Sequence, residues 1–138
     1  MIFVDFDDTL CLHRTDINSK EFLIKDGAYL TSVPNKPLIN QLYELKAEGN
    51  KLILLTMSSS FMLEHKKNWC NKNCPNLFDD YVGLSIDCNK AEYIYTICNF
   101  TDENEIHIFI DDNREERHLV EKINNVRVYS PQLFVLDK

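Results

Sequence analysis

Carboxylates are concentrated in two segments of this sequence, and each segment directly follows an apolar run. Asp5 and Asp7 come after the opening run MIFV, with one residue between them, and Asp111 and Asp112 come after the run IHIFI. Carboxylates packed at the end of a buried strand repel one another unless a positive charge compensates them. Mg²⁺ would remove this conflict, because it binds oxygen ligands and usually takes one or two carboxylates together with a substrate phosphate. One carboxylate would then remain free to do chemistry.

The residues that follow Asp7 complete the first acidic segment. We interpret Asp8 as a turn residue and expect the hydroxyl of Thr9 to orient the loop. His13 and Arg14 come shortly afterwards, near the expected mouth of a site. They would either contact a substrate or lie in a solvated loop.

Hydrophobic periodicity predicts the elements that position these acids. Five strand-like runs cover residues 2–5, 51–56, 81–84, 106–110 and 126–129. Helical patterns alternate with them: one from Pro37 until Gly49 ends it, one from 58–60 to about residue 70, one that begins at Asn89, and one over 114–124. In the third helical pattern, one apolar face is predicted for Ala91, Ile94, Tyr95 and Cys98.

The strand-like runs are apolar almost throughout, which is typical of a parallel sheet covered on both faces by helices. We therefore predict an α/β fold with a doubly wound, Rossmann-like parallel sheet of about five strands. Ligands in such sheets bind outside the carboxyl ends of the strands. The polar residues at the ends of three runs, Asp5, Thr56 and Asp111, are therefore expected to meet at one edge of the sheet.

Taken together, these residues resemble the four motifs of the haloacid dehalogenase superfamily of phosphohydrolases. DFDDTL is similar to the first motif, an Asp-x-Asp-x-Thr sequence after an apolar strand, and LILLT is similar to the second, a strand that ends in Thr or Ser, here Thr56. Lys90 resembles the lysine of the third motif, with Lys66 and Lys67 as competitors, and IFIDD resembles the fourth. The resemblance extends from residue 2 to about residue 129, with the motifs in the family's order.

The resemblance implies a phosphomonoester hydrolase that depends on Mg²⁺ and forms an aspartyl-phosphate. Asp5 would be the nucleophile, and Asp7 would donate a proton to the leaving alcohol and later accept one from water. The resemblance also implies the other site residues. Mg²⁺ would bind Asp5, the main-chain carbonyl of Asp7 and Asp111, with Asp112 either a second ligand through water or a helix cap, and phosphate oxygens would bind Thr56 and Lys90.

The same resemblance bears on domain organisation. Many members of the superfamily carry a cap domain that closes over the site. Residues 11–36 form the least regular segment of the chain and are too few for an independent domain. We therefore predict a single catalytic domain over residues 1–138, no separate cap domain, and at most a small lid at 11–36. An open site suits either a bulky substrate or a small one enclosed by a neighbouring subunit, which leaves homo-oligomer formation open.

Composition restricts the substrates and partners. The formal net charge of −7 disfavours broad binding to nucleic-acid phosphates, although a local basic patch remains compatible with it. A small phosphorylated metabolite or nucleotide is therefore the first expectation for the substrate, and a polynucleotide end or a phosphoprotein is the alternative. No apolar run approaches the roughly 20 residues of a membrane span. The scattered cysteines are typical of free thiols in a reducing compartment, so we predict a cytoplasmic location and no membrane partner.

Two further classes of protein use similar residues. A phosphoacceptor signalling domain of the receiver type also carries acids, a threonine and a lysine on a parallel sheet. Its acidic pair comes first and its lysine last, whereas Lys90 precedes Asp111 here. A non-catalytic binding module is the other class, and the presence of every expected polar group argues against it.

Overall fold

A parallel sheet of five strands forms the centre of the protein in a computed structural model that describes residues 1–13 and 32–136. The described strands, in chain order, are β1 (Ile2–Val4), β2 (Cys11–Leu12), β3 (Val33–Pro34), β4 (Leu52–Met57), β5 (Asp80–Leu84), β6 (His107–Ile110) and β7 (Val126–Tyr129). The strand order in the main sheet is β5-β4-β1-β6-β7, and every pairing in it is parallel. The parallel α/β sheet of five strands is therefore confirmed.

The described helices are α1 (Lys36–Ala47), α2 (Ser60–Asn73), α3 (Lys90–Cys98), α4 (Arg114–Val120) and α5 (Pro131–Leu136). A polar residue precedes each of the first four, and its side-chain oxygen accepts a main-chain N–H from the first turn; these residues are Asn35, Ser59, Asn89 and Asn113. Such caps satisfy donors that have no partner within the helix. The predicted start of the third helix at Asn89 is confirmed.

Three details of the helix predictions were wrong. Helix α4 ends at Val120 and not near residue 124, because residues 121–125 turn so that β7 can pair with β6. Tyr95 is 58% exposed, since the buried stripe of α3 consists of Lys90, Ile94 and Cys98. Helix α5 was not predicted; it places Phe134 in the core.

The strands of the sheet alternate between two apolar clusters. Ile2 and Val4 belong to one cluster, which also receives buried side chains from α1, α2 and α5, among them Leu38, Leu42, Trp69 and Phe134. Phe3 belongs to the other, which receives buried side chains from α3 and α4, among them Ile94 and Val120. The alternation follows from the two-residue period of a strand, and burial of these side chains is the main favourable term in folding.

Strand β1 lies between β4 and β6, and this topology brings distant segments together. Val4 is in register with Leu54 on one side and with Ile110 on the other. The main-chain N–H of Asp5 donates to the carbonyl of Ile110 at 2.9 Å. The chain positions just beyond β1 and β6, and the end of β4, therefore lie at the same edge of the sheet, where ligands of parallel sheets bind.

A two-stranded antiparallel ribbon lies beside the main sheet, formed by β2 and β3. It belongs to the segment 11–36, for which at most a small lid was predicted. Residues 14–31 of that segment, which include Arg14, lie outside the described residues. Asn35 fastens the end of the ribbon, because its Nδ2 donates to the Thr9 carbonyl at 2.9 Å and its main-chain N–H donates to the Leu10 carbonyl.

All five cysteines have free thiols, as the sequence suggested. Cys11 is buried, and burial raises the pKa of its thiol to about 12, which keeps the thiol protonated and unreactive. Among the helices that the structure describes, none has the length and apolarity needed to span a bilayer.

Stability below neutral pH is expected to depend on His107, the first residue of β6. Its ring is fully buried, with Nδ1 2.9 Å from the Met1 nitrogen and Nε2 3.1 Å from the Thr101 hydroxyl. Burial lowers the pKa of His107 below its ordinary 6.5. As the pH falls below about 6.5, the unfolded chain takes up a proton that the folded ring resists, so the free energy of unfolding decreases by at most about 1.4 kcal/mol per pH unit.

Denaturant unfolding of wild type and His107→Gln at several pH values measures this effect. The variant is expected to lose less stability than wild type between about pH 7 and pH 5. His118→Gln is the control, because the His118 side chain is 67% exposed. Parallel curves for wild type and His107→Gln would show that burial of His107 does not control stability in this range.

Candidate active site

Asp5 occupies the first position beyond β1 and lies at the centre of the acidic edge. It is 6% exposed. Its Oδ2 accepts a hydrogen bond from the Thr9 hydroxyl at 3.0 Å, and its Oδ1 lies 2.7 Å from the Nζ of Lys90. Both carboxylate oxygens therefore have partners that fix the side chain.

The loop after Asp5 turns sharply back on itself. The main-chain N–H groups of Thr9 and Leu10 donate to the Phe6 carbonyl. Asp8 adopts a φ of 58°, in the left-handed region that Asp tolerates better than most residues. Its carboxylate accepts the main-chain N–H of His13 at 3.2 Å. The interpretation of Asp8 as a turn residue is confirmed.

Thr9 links the loops that follow β1 and β6. Its hydroxyl lies 3.0 Å from a carboxylate oxygen of Asp5 and 3.2 Å from one of Asp112, and it accepts the main-chain N–H of Asp112 at 3.0 Å. The predicted orienting role of this hydroxyl is confirmed, because it sets the separation of two acidic loops that are far apart in the sequence.

Lys90 connects the two acidic segments. It lies in the first turn of α3, is buried, and places Nζ 2.7 Å from Asp5 Oδ1 and 2.7 Å from Asp111 Oδ2. Burial alone would lower the pKa of this ammonium, but the two carboxylates outweigh burial and raise it. The Lys90 side chain is therefore a fixed positive charge. The competing lysines lie elsewhere: Lys66 contacts Asp7, and Lys67 forms a surface pair with Glu64 at 3.5 Å.

Asp111 is fully buried and held from three directions. Besides Lys90, it accepts the main-chain N–H of Asn113 at 2.9 Å, and its own carbonyl accepts a bond from Arg117 at 2.8 Å. Arg117 was not identified from the sequence, where it reads as an ordinary helix-surface residue. Asn113, and not Asp112, caps α4, so the cap alternative for Asp112 is wrong.

Three carboxylates at this edge could hold a metal ion. Asp5, Asp111 and Asp112 each offer one oxygen atom, and these atoms all lie within 4.8 Å of one another. Burial, followed by repulsion from Asp5, raises the pKa of Asp111 to about 7. Burial, followed by the hydrogen bond with Asp5, raises the pKa of Asp112 to about 6. The negative charge of the three carboxylates is thus larger than the single positive charge of Lys90 can compensate. A set of ligands made only of oxygen atoms fits Mg²⁺.

Asp7 points away from this cluster, into a second polar group. Its Oδ1 lies 2.8 Å from Nε2 of His13, and its Oδ2 lies 3.0 Å from Nζ of Lys66. Burial would raise the pKa of Asp7, but the bond to His13 and the charge of Lys66 outweigh it and lower the pKa. The bond to Asp7, the largest cause, raises the pKa of His13. Of the predicted metal ligands, Asp7 is the one whose side chain lies outside the three-carboxylate group.

Thr56 belongs to this second group and not to the first. It lies near the end of β4, is 1% exposed, and its hydroxyl oxygen accepts a bond from Lys66 Nζ at 2.7 Å. The site residues predicted from the sequence therefore form two neighbouring groups. One contains Lys90 with Asp5, Asp111 and Asp112, and the other contains Lys66 with Asp7 and Thr56.

Lys66 was considered only as a competitor of Lys90, so its own position was missed. The buried residues of α2 are Lys66, Trp69 and Cys70, which share one helix face at i, i+3 and i+4. A lysine on the apolar stripe of a helix needs a buried acceptor or a carboxylate. That placement is the sequence feature that could have identified Lys66.

Comparison with known proteins adds no relative to this description. Neither family models, curated proteins nor solved structures produced a match to this chain.

Proposed function

We propose that this protein is a Mg²⁺-dependent phosphomonoester hydrolase that acts through an aspartyl-phosphate. The observation that carries the proposal is the position of Lys90, whose Nζ lies 2.7 Å from both Asp5 and Asp111 in a cluster completed by Asp112. A buried lysine among three acids at the carboxyl edge of a parallel sheet suits the binding of a phosphoryl group, whose anionic oxygens need fixed positive charge.

Asp5 is the nucleophile in this proposal. Its carboxylate attacks phosphorus, the bond to the leaving oxygen breaks, and Asp5 carries the phosphoryl group until water attacks. The contacts from Thr9 and Lys90 support this role, because they hold the carboxylate in one orientation before substrate arrives. A carboxylate is a weak nucleophile, so fixed geometry is a large part of the rate enhancement.

Asp5, Asp111 and Asp112 would hold the metal ion together with the main-chain carbonyl of Asp7. The bound Mg²⁺ would supply positive charge that reduces repulsion between the attacking carboxylate and the phosphate. Lys90 would remain as the second positive charge, and Thr56 would donate its hydroxyl hydrogen to a phosphate oxygen. The raised pKa of Asp111 supports a cation at this place, since burial and repulsion from Asp5 are its main causes.

Asp7 would transfer protons. It would protonate the leaving alcohol as the phosphoryl group moves to Asp5, and it would then take a proton from the water that releases phosphate. Because the contacts with His13 and Lys66 lower the pKa of Asp7, the carboxylate would first take the proton for the leaving alcohol from His13, whose Nε2 lies 2.8 Å away. The Asp7 side chain is 39% exposed, which supports a place at the mouth of the site where leaving group and water pass.

The proposal extends to the fold and the substrate. We regard the sheet as doubly wound and the protein as having no separate cap domain. The two apolar clusters support the doubly wound sheet, because different helices contribute side chains to each. A small phosphorylated metabolite or nucleotide is the proposed substrate, since the net charge of −7 disfavours polyanionic partners. A polynucleotide end or phosphoprotein would instead require a basic surface near the site.

A turnover screen of phosphomonoesters with and without Mg²⁺ tests the function. Activity is expected with Mg²⁺, to disappear in excess chelator and to return when Mg²⁺ is added back, because the acidic cluster then regains its cation. Sugar phosphates, nucleotides and a 5′-phosphorylated oligonucleotide in the same screen separate the substrate classes. Full activity in metal-free buffer would contradict the metal assignment. Phosphorylation of Asp5 that is stable for hours, without turnover, would indicate a phosphoacceptor instead.

A further inference from the structure

The ammonium group of Lys66 contacts three oxygen atoms. Nζ donates hydrogen bonds to the Thr56 hydroxyl oxygen at 2.7 Å and to the Met57 carbonyl oxygen at 3.3 Å. It also forms an ion pair with Asp7 Oδ2 at 3.0 Å. Lys66 is 2% exposed, and Nζ also lies 5.5 Å from the ring centroid of Phe6.

The contacts of Lys66 join two parts of the site, the end of β4 and the loop after β1. Thr56 and Met57 belong to β4, which pairs with β5 on one side and with β1 on the other. Asp7 belongs to the loop after β1, and its side chain is 39% exposed. Lys66 therefore anchors a partly exposed loop carboxylate to a buried strand.

We infer that Lys66 is a positioning residue that fixes the Asp7 carboxylate against the end of β4 for proton transfer. The inference rests on the proposed function, because it assigns Lys66 to the same reaction. His13 holds the other oxygen of Asp7, but it lies next to the ribbon strand β2 and outside the sheet. Without Lys66 the carboxylate keeps one side-chain partner among the described residues, His13, and can turn about it. A displacement of about 1 Å at a reacting group can lower a rate 10²-fold.

The test compares Lys66→Met with Lys67→Met. Methionine keeps the length and apolar body of lysine while it removes the ammonium. Lys67 is the matched control, because it is the next residue on the same helix and pairs with Glu64 at the surface. The measured quantity is the first-turnover rate constant for an alkyl and an aryl phosphate. An alkyl leaving group needs the proton from Asp7, whereas a nitrophenolate leaves with little help.

Lys66→Met is expected to slow the alkyl ester about 10-fold or more and the aryl ester at most about 3-fold. Lys67→Met is expected to match wild type. In an Asp7→Asn background the added Lys66→Met change is expected to cost nothing further, since the group that Lys66 positions is then already absent. If Lys66 had only a structural role, Lys66→Met would slow both esters equally, and it would also slow them in the Asp7→Asn background. Equal losses for the two esters, or a further loss in the Asp7→Asn background, would overturn the inference.

Lys66→Arg guards against a Lys66→Met protein that does not fold. It keeps the positive charge beside Asp7, but a planar guanidinium cannot reproduce the three contacts of the ammonium. The same selectivity for the alkyl ester, with a smaller loss, is expected. Equal rates for Lys66→Arg and wild type on both esters would overturn the inference, because the geometry would then have no effect.

A separate measurement distinguishes failure of this inference from failure of the proposed function. The coupling between Lys66→Met and Asp7→Asn in denaturant unfolding reports their contact without any turnover. If wild type hydrolyses no phosphomonoester while the two changes are coupled, the proposed function fails and Lys66 still anchors Asp7. If wild type is active and the changes are additive in unfolding, the function stands and the anchor is rejected.

Discussion

Asp5→Asn is expected to abolish phosphomonoester hydrolysis, with a loss of about 10⁴-fold or more, while the protein stays folded. The amide has almost the same shape as the carboxylate but cannot attack phosphorus. Folding should survive because Lys90 keeps Asp111 as its partner at 2.7 Å, and the amide oxygen at position 5 can still accept a hydrogen bond from Lys90. Turnover with Mg²⁺, circular dichroism and denaturant unfolding of the purified variant measure both parts of the expectation.

Asp8→Asn is the matched control for Asp5→Asn. Asp8 belongs to the same acidic segment, but it is a turn residue whose φ of 58° asparagine also adopts readily. The amide oxygen can still accept the main-chain N–H of His13. Activity close to that of wild type is therefore expected. If Asp5→Asn is folded and as active as Asp8→Asn, Asp5 is not the nucleophile.

Asp7→Asn is expected to separate the two steps of the reaction. An amide at position 7 can neither protonate a leaving group nor accept a proton from water, although its main-chain carbonyl remains for the metal ion. Phosphorylation of Asp5 by an alkyl phosphate should therefore slow by about 10²- to 10⁴-fold, and phosphorylation by an aryl phosphate should slow much less. Because hydrolysis of the intermediate still needs the base, the aspartyl-phosphate is expected to accumulate.

Rapid-quench measurement of the first turnover tests this expectation, since it observes the phosphorylation step before hydrolysis limits the rate. Acid-stable phosphate on the protein reports the intermediate. Equal losses for the aryl and alkyl esters in this phase would reject Asp7 as the proton donor. Asp7 would then be a structural residue that forms an ion pair with Lys66 at 3.0 Å.

Local sequence patterns were sufficient for the sheet and for the placement of its acidic ends. Runs such as LILLT and IHIFI are apolar almost throughout, and a chain buries such runs most completely in a parallel sheet covered by helices. The polar residues that stop the runs then lie at one edge by the geometry of parallel strands. Asp5 and Asp111 were therefore expected to meet although they are far apart in the sequence, and both lie 2.7 Å from the Nζ of Lys90.

Boundaries and helix faces were less predictable. The helical hydrophobic pattern over 114–124 continues beyond Val120, yet the helix ends at Val120. It ends there because the chain must turn into β7 where that strand can pair with β6. Tyr95 fits the periodicity of a buried face, but the face that meets the sheet includes Lys90 instead. In both cases tertiary contacts outweighed local preference.

By itself, the sequence determined which polar residues stand at the strand ends, because the period and apolarity of the runs are local properties of the chain. Only the tertiary structure decided how those residues pair. It assigned Lys90 to Asp5 and Asp111, Lys66 to Asp7 and Thr56, and the Thr9 hydroxyl to both acidic loops. Such pairings join residues up to 103 positions apart. These pairings depend on helix orientation and burial, because a buried charged group forms an ion pair with the opposite charge that packing places within contact distance.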